Sequence, residues 1–233
     1  MTSTADIRSR IAAWSVHLLT ATGALVGVLA ITELYHDHDI AFFWCLVVAT
    51  AIDACDGYLA RRFRVKEVLP GFDGALLDNI VDYFTYVIVP AVFIYERGLV
   101  PEFTGMIAAA LMVLASAYQF CQSKAKTEDH YFLGWPSYWN IVVLYLFLLH
   151  LAPIMNLAII VLCAILVFVP IKYLYPSRTE RYRTLTISLT ALWALSLLVI
   201  LAQYPEHSRI LVWLSLAYVV YYALASLYLT RRG

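Results

Sequence analysis

Six acidic residues, Asp53, Asp56, Glu67, Asp73, Asp78 and Asp82, fall within thirty positions of a chain otherwise built for lipid. Four of them form a pattern, Asp53-x2-Asp56-Gly57-x2-Ala60-Arg61-x12-Gly74-x3-Asp78-x3-Asp82. The pairs stand at i,i+3 and i,i+4, spacings that share a helix face. Carboxylates inside a membrane segment are costly and usually functional. Four that converge would repel one another when bare, and a divalent cation with a preference for oxygen resolves this. Mg²⁺ or Mn²⁺ fits such a ligand set best.

The elements that must position these side chains are transmembrane helices. Hydrophobic residues make up 63% of the 233-residue chain, too many for an ordinary soluble domain. A helical span needs roughly 20 apolar residues. Eight segments stand out, at about 13–32, 40–60, 74–95, 103–121, 137–151, 154–174, 184–203 and 209–229, the fifth of them short. The runs do not alternate as barrel strands do, so the expected class is an all-α integral membrane protein of about eight transmembrane helices. Asp53 and Asp56 fall in the last turns of span two, and Asp78 and Asp82 in the first turns of span three. A rise of about 1.5 Å per residue puts both pairs at similar depth, so an antiparallel hairpin of spans two and three aims them at one point.

Charge predicts the orientation. With the loop between Arg61 and Gly74 in the cytoplasm, 14 of the 16 basic residues lie on that side, and only Arg97 and Arg209 lie on the other. The positive-inside rule then places both termini and the acidic motif in the cytoplasm. The expected organisation is an interfacial segment over 1–12, a six-helix core over 13–174 and two additional C-terminal helices over 175–233. The first segment lacks the marks of a cleavable signal. Cys45, Cys55, Cys121 and Cys163 fall inside spans without metal-ligand spacing and read as core residues.

Gly57, Ala60 and Gly74 would let a bulky ligand approach the backbone beside the cation, and Arg61 can grip a phosphate with its fork of donors. Together with the carboxylates, these residues suggest a pyrophosphate-containing substrate. Two metals could neutralise the phosphates and the leaving group. One carboxylate could stay free to take a proton from an attacking hydroxyl. Asp82, deepest along span three and away from Arg61, is the better candidate. The alternative is a structural hairpin in which Arg61, Arg62 and Arg64 pair with the acids and the small residues serve only helix packing.

At these eight positions the chain resembles the CDP-alcohol phosphatidyltransferase family, whose usual signature is D-x2-D-G-x2-A-R-x8-G-x3-D-x3-D. It departs in one place: the gap after Arg61 is twelve residues, as in the bacterial phosphatidylcholine synthase branch. Residues 125–140 also resemble that branch. The resemblance implies transfer of a phosphatidyl group from CDP-diacylglycerol to choline, giving phosphatidylcholine and CMP. It also implies Mn²⁺ or Mg²⁺, two ions in all, and a homodimer in the bacterial inner membrane among membrane lipids. Nucleic acid is not an expected partner. Carried over by position, Asp53, Asp56 and Asp78 are metal ligands, and Asp82 is the general base and a further metal contact. Gly57, Ala60, Arg61 and Gly74, with Asp56, line the CDP site. The longer gap leaves the motif ends unaltered if the loop bulges into the cytoplasm. Asp73 reads as an N-cap for span three.

Choline carries a quaternary ammonium, held by aromatic faces and nearby negative charge. Tyr83, Tyr86, Tyr118, Tyr138, Trp139 and Asn140 are candidates for its site, against the alternative of an interfacial aromatic belt and core packing. Lys124 and Lys126 could hold lipid phosphates or simply mark the cytoplasmic side. Gly23-x3-Gly27 in span one reads as helix packing. His17, His36, His38 and His150 are too scattered for a site. The rival acceptors are serine, inositol and glycerol 3-phosphate. The rival from another class is a transporter of divalent ions or protons, whose usual inverted repeats are not evident in the sequence.

Overall fold

The computed structural model describes residues 4–125, 127, 129, 131–176, 179 and 183–232. These are helical apart from connecting loops and one two-stranded sheet. The chain divides into two units, Met1–Phe93 and Ile94–Gly233.

The first unit holds α1 (Thr4–Tyr35), α2 (Asp39–Arg62), α3 (Val65–Val68), α4 (Gly74–Asp82), a π-helical segment Tyr83–Ile88 and the start of α5 (Val89–Glu96). Its candidate spans are Ile7–Tyr35, Asp39–Arg62 and the composite Gly74–Glu96. Helix α1 runs unbroken from Thr4, and Ile7, Ile11 and Trp14 are exposed along it. The expected packing role of Gly23 and Gly27 is present. A Cβ on Gly23 would lie 2.8 Å from Val81, and one on Gly27 would lie 2.6 Å from the Phe84 ring. The missing side chains let α1 close on span three. Phe42, Phe43 and Phe93 form a buried aromatic cluster at 4.6–5.1 Å between ring centroids.

The loop after Arg61 does not simply bulge outward. It forms α3, and Val65 and Leu69 are buried against Ala13 and Val16 of α1. An apolar pair four residues apart needs a partner, and α1 offers one. Asp73 caps α4 as expected, accepting from the Leu76 amide at 3.0 Å.

The second unit holds a 3₁₀ turn Glu102–Thr104, α6 (Gly105–Cys121), β1 (Tyr131–Leu133), α7 (Trp139–Leu149), α8 (Pro153–Phe168), β2 (Lys172–Leu174), α9 (Arg183–Ala202) and α10 (Arg209–Arg232). Glu102–Cys121, Arg183–Ala202 and Arg209–Arg231 are long and apolar enough to cross a membrane. The described chain therefore has six such helices and two shorter apolar ones, at the eight places where hydropathy predicts segments. The segment at 137–151 is cut short by Ser137 and His150, both at positive φ. Its eleven helical residues reach roughly 16 Å at the α-helical rise, about half the hydrocarbon thickness. The segment at 154–174 leaves the helix at Val169, the residue before Pro170, where helical geometry is disfavoured.

The sheet is antiparallel, pairing Tyr131 with Leu174 and Leu133 with Lys172. The amides of Lys172 and Leu174 donate to Thr230 Oγ1 at 2.8 Å and Ser226 Oγ at 3.2 Å of α10. A strand edge within an apolar protein needs such partners. Tyr145 of α7 meets Ser215 of α10 at 2.8 Å and accepts from Trp193 Nε1 of α9 at 2.9 Å.

Candidate active site

Spans two and three bring carboxylates together, as their spacing predicts. Asp53 of α2 and Asp78 and Asp82 of α4 each offer an oxygen, and these oxygens lie within 4.8 Å of one another. All three residues are half-buried. Asp78 and Asp82 share a face because they stand one turn apart. Three hard oxygen donors converging in this way fit a divalent cation such as Mg²⁺ or Mn²⁺. Without one, three like charges at this separation oppose the arrangement.

Asp56, expected as a further ligand, is not among the three. It is 4% exposed and lies against the Thr20 hydroxyl and the Gly57 amide. Three residues along an α-helix turn about 300°, which leaves Asp56 about 60° around from Asp53. That offset is enough to present it to α1, which packs extensively on α2.

Tyr86 reaches the triad. Its hydroxyl donates to Asp53 Oδ2 at 2.8 Å, and Asp82 is close enough to act on it electrostatically. The π-helical segment helps to bring it there. Asp78, Asp82 and Tyr86 recur every four residues, and in a regular α-helix such a row drifts by about 40° per step. A turn with i→i+5 bonding holds more residues, so the drift after Asp82 is reduced. Tyr83 opens this segment and is half-buried.

The small motif residues have distinct surroundings. A Cβ on Gly57 would lie 3.4 Å from Arg61 Nη1, so the guanidinium rests over the glycine one turn earlier. Arg61 is exposed. Ala60 packs against the buried cluster of Ala13, Val16, Val65 and Leu69. Gly74 faces the ring of His17.

The remaining candidates belong to the second unit. Tyr118 is exposed, lies 4.9 Å from the Phe168 ring and donates to Gln122 Oε1 at 3.2 Å. Tyr138 precedes α7, with its ring edge-on to Phe132 at 6.4 Å. Trp139, expected as a choline contact, is fully buried and donates its indole N–H to Ser116 Oγ at 2.7 Å. Asn140 is buried, and its Oδ1 accepts from the Ile141 amide at 2.9 Å. Lys124 is exposed beyond α6, and Lys126 lies outside the described residues.

Two α1 residues at the site, His17 and Thr20, are not among the sequence-based candidates. A signal for them exists. His17, Thr20, Gly23 and Gly27 recur every three or four positions, a polar and small-residue stripe on an otherwise apolar helix.

Residues 15–171 match the CDP-alcohol phosphatidyltransferase family. The chain is 44% identical to a protein of Legionella pneumophila named phosphatidylcholine synthase, over 94% of this chain and 89% of that one. It is 38% identical to a Pseudomonas aeruginosa protein of the same name, over 90% and 88%. A Borreliella burgdorferi protein, also so named, is 37% identical over 95% and 96%. With the aspartate motif in place on two adjoining spans and similarity running the length of the chain, this integral membrane protein belongs to the CDP-alcohol phosphatidyltransferase family.

Proposed function

We propose that the chain transfers the phosphatidyl group of CDP-diacylglycerol to choline, yielding phosphatidylcholine and CMP. The observation that carries this reading is the convergence of Asp53, Asp78 and Asp82 within 4.8 Å in a chain so similar to proteins named phosphatidylcholine synthase.

In this reading Asp53, Asp78 and Asp82 would hold divalent cation, Mn²⁺ or Mg²⁺, with two ions as the proposed complement. When bound, the cations supply positive charge to the pyrophosphate and the departing phosphate. Arg61, exposed and laid over Gly57, adds a fork of donors for a phosphate. Asp82 accepts the choline hydroxyl proton. The choline oxygen forms a bond to the β-phosphorus, the one bearing diacylglycerol. The bond from that phosphorus to the bridging oxygen breaks, and its electron pair leaves with CMP. Tyr86 keeps the Asp53 carboxylate oriented through its 2.8 Å hydrogen bond. Tyr83 and Tyr86 are the aromatic side chains proposed beside the reacting hydroxyl.

The proposed setting is the bacterial inner membrane with both termini and the motif on the cytoplasmic side, supported by the 14-to-2 division of basic residues. A homodimer is part of the same reading.

The test is CMP release from purified protein in liposomes with CDP-diacylglycerol and Mn²⁺, adding choline, serine, inositol or glycerol 3-phosphate separately. Choline-dependent release is expected. Asp82→Asn is expected to lose at least about 100-fold in turnover, the lower range for a lost general base. Near-normal turnover would remove the base assignment. Release with another alcohol alone would keep the family and change the acceptor. No release with any of the four, from folded protein, would overturn this reaction and favour a transporter.

A further inference from the structure

Gly74 opens α4, and the space beside it is occupied. A Cβ there would lie 2.5 Å from Cε1 and 3.1 Å from Nδ1 of His17. The imidazole cannot easily retreat. It is 6% exposed, with the Phe72 ring 4.4 Å away and the Trp14 ring at 5.8 Å. Its Nε2 is buried and has no hydrogen-bond partner among the described residues. A buried nitrogen left in this way is unfavourable. The fit of the ring against Gly74 accounts for the residue's place.

The same α1 face meets span three again where Gly23 and Gly27 admit Val81 and Phe84. Asp78 lies between the two contact points along α4, and Asp82 lies within the second. Span three is thus pinned to α1 on either side of the carboxylate pair.

We propose that His17 is a positioning residue for the phosphatidyl-transfer site. Its imidazole sets the height and rotation of α4 through contact with Gly74 and so places Asp78 and Asp82 opposite Asp53. The missing side chain at position 74 is then a requirement of His17 rather than of ligand access alone. The activity part of the test rests on the functional reading above, and the metal-binding part does not.

The experiment compares full-length wild type, His17→Ala, Gly74→Ala and the double variant in detergent. Mn²⁺ affinity is read by electron paramagnetic resonance, with CMP release and thermal unfolding measured alongside. Gly74→Ala is expected to weaken Mn²⁺ binding at least about 5-fold and kcat at least about 10-fold, since a misplacement of about 1 Å can cost about 100-fold. In the double variant the added methyl enters the space the imidazole leaves. Both quantities are then expected to return to within about 3-fold of His17→Ala, as strong coupling between touching residues requires. A double variant no better than Gly74→Ala overturns the proposal. So does a Gly74→Ala that changes thermal stability but leaves Mn²⁺ affinity and kcat unaltered. If Gly74→Ala does not fold, a folded, Mn²⁺-binding double variant supports the proposal, and a double variant that also fails to fold overturns it. Absence of CMP release from wild type would defeat the functional reading, while the Mn²⁺ affinities would still decide this one.

Discussion

Tyr86 illustrates what happens at the scale of a residue. The sequence offers it as a choline contact or as part of an aromatic belt or core, and in the structure its hydroxyl donates to Asp53 Oδ2 at 2.8 Å. Tyr86→Phe keeps the ring and removes that donor. A hydrogen bond to a charged group contributes about 1.5–3 kcal/mol, so kcat is expected to fall about 10-fold or more while the KM for choline stays within about 3-fold. A large rise in choline KM at unchanged kcat would make Tyr86 a cage residue instead. The shared face of Asp78 and Asp82 was legible from spacing, which aimed all four carboxylates at one point, because i,i+4 neighbours share a face whatever surrounds them. The separate course of Asp56 was not. Its direction depends on how α2 is rotated toward α1, and Thr20 of α1 receives it. Trp139 was open between ligand wall and core for the same reason. Its N–H is directed at Ser116, 23 positions earlier.

Among elements, α1 fits closely on span three. A Cβ on Gly27 would meet two Phe84 ring carbons at 2.6 and 2.9 Å. Gly27→Ala is expected to destabilise the protein by about 1–3 kcal/mol, the usual cost of overpacking, read as a lower Tm in detergent. An unchanged Tm would show that the helices separate without cost. The link between the 122–130 loop and β2 offers a pH test. The Lys172 ammonium lies 2.8 Å from Asp129 Oδ2. With the Thr127 hydroxyl, it holds the Asp129 carboxyl below the usual carboxylate range. A carboxylate lowered on folding contributes its stability above the unfolded value of about 3.9 and loses it as pH falls through the folded value. The Tm advantage of wild type over Asp129→Asn is therefore expected at neutral pH and should vanish progressively below about pH 4. A gap that does not depend on pH would show that the ion pair contributes nothing.

For the molecule as a whole, membrane class follows from composition, and the proposed orientation follows from the partition of Lys and Arg. Lys66 is exposed on α3, and Arg97 follows the far end of span three. In inverted membrane vesicles a membrane-impermeant maleimide is expected to label Lys66→Cys and not Arg97→Cys. The reverse pattern would invert the orientation. Hydropathy marks eight segments, the fifth of them short, and the structure has six helices long enough to span and two shorter ones at those places. Window averages register apolar content but not where the backbone leaves the helix, as it does at Ser137, His150 and Val169.

The sequence by itself determined the membrane class, the cap at Asp73 and the shared face of Asp78 and Asp82. Each of these depends on local quantities: residue hydropathy, the helical period, and side-chain reach to a neighbouring amide. Only the tertiary structure decided that Asp56 turns to Thr20, that the longer loop folds back as α3 onto Ala13 and Val16, and that His17 fills the space beside Gly74. These contacts join residues 36 to 57 positions apart. They are set by the rotation and height of one helix against another, which the periodicity of a single helix does not contain.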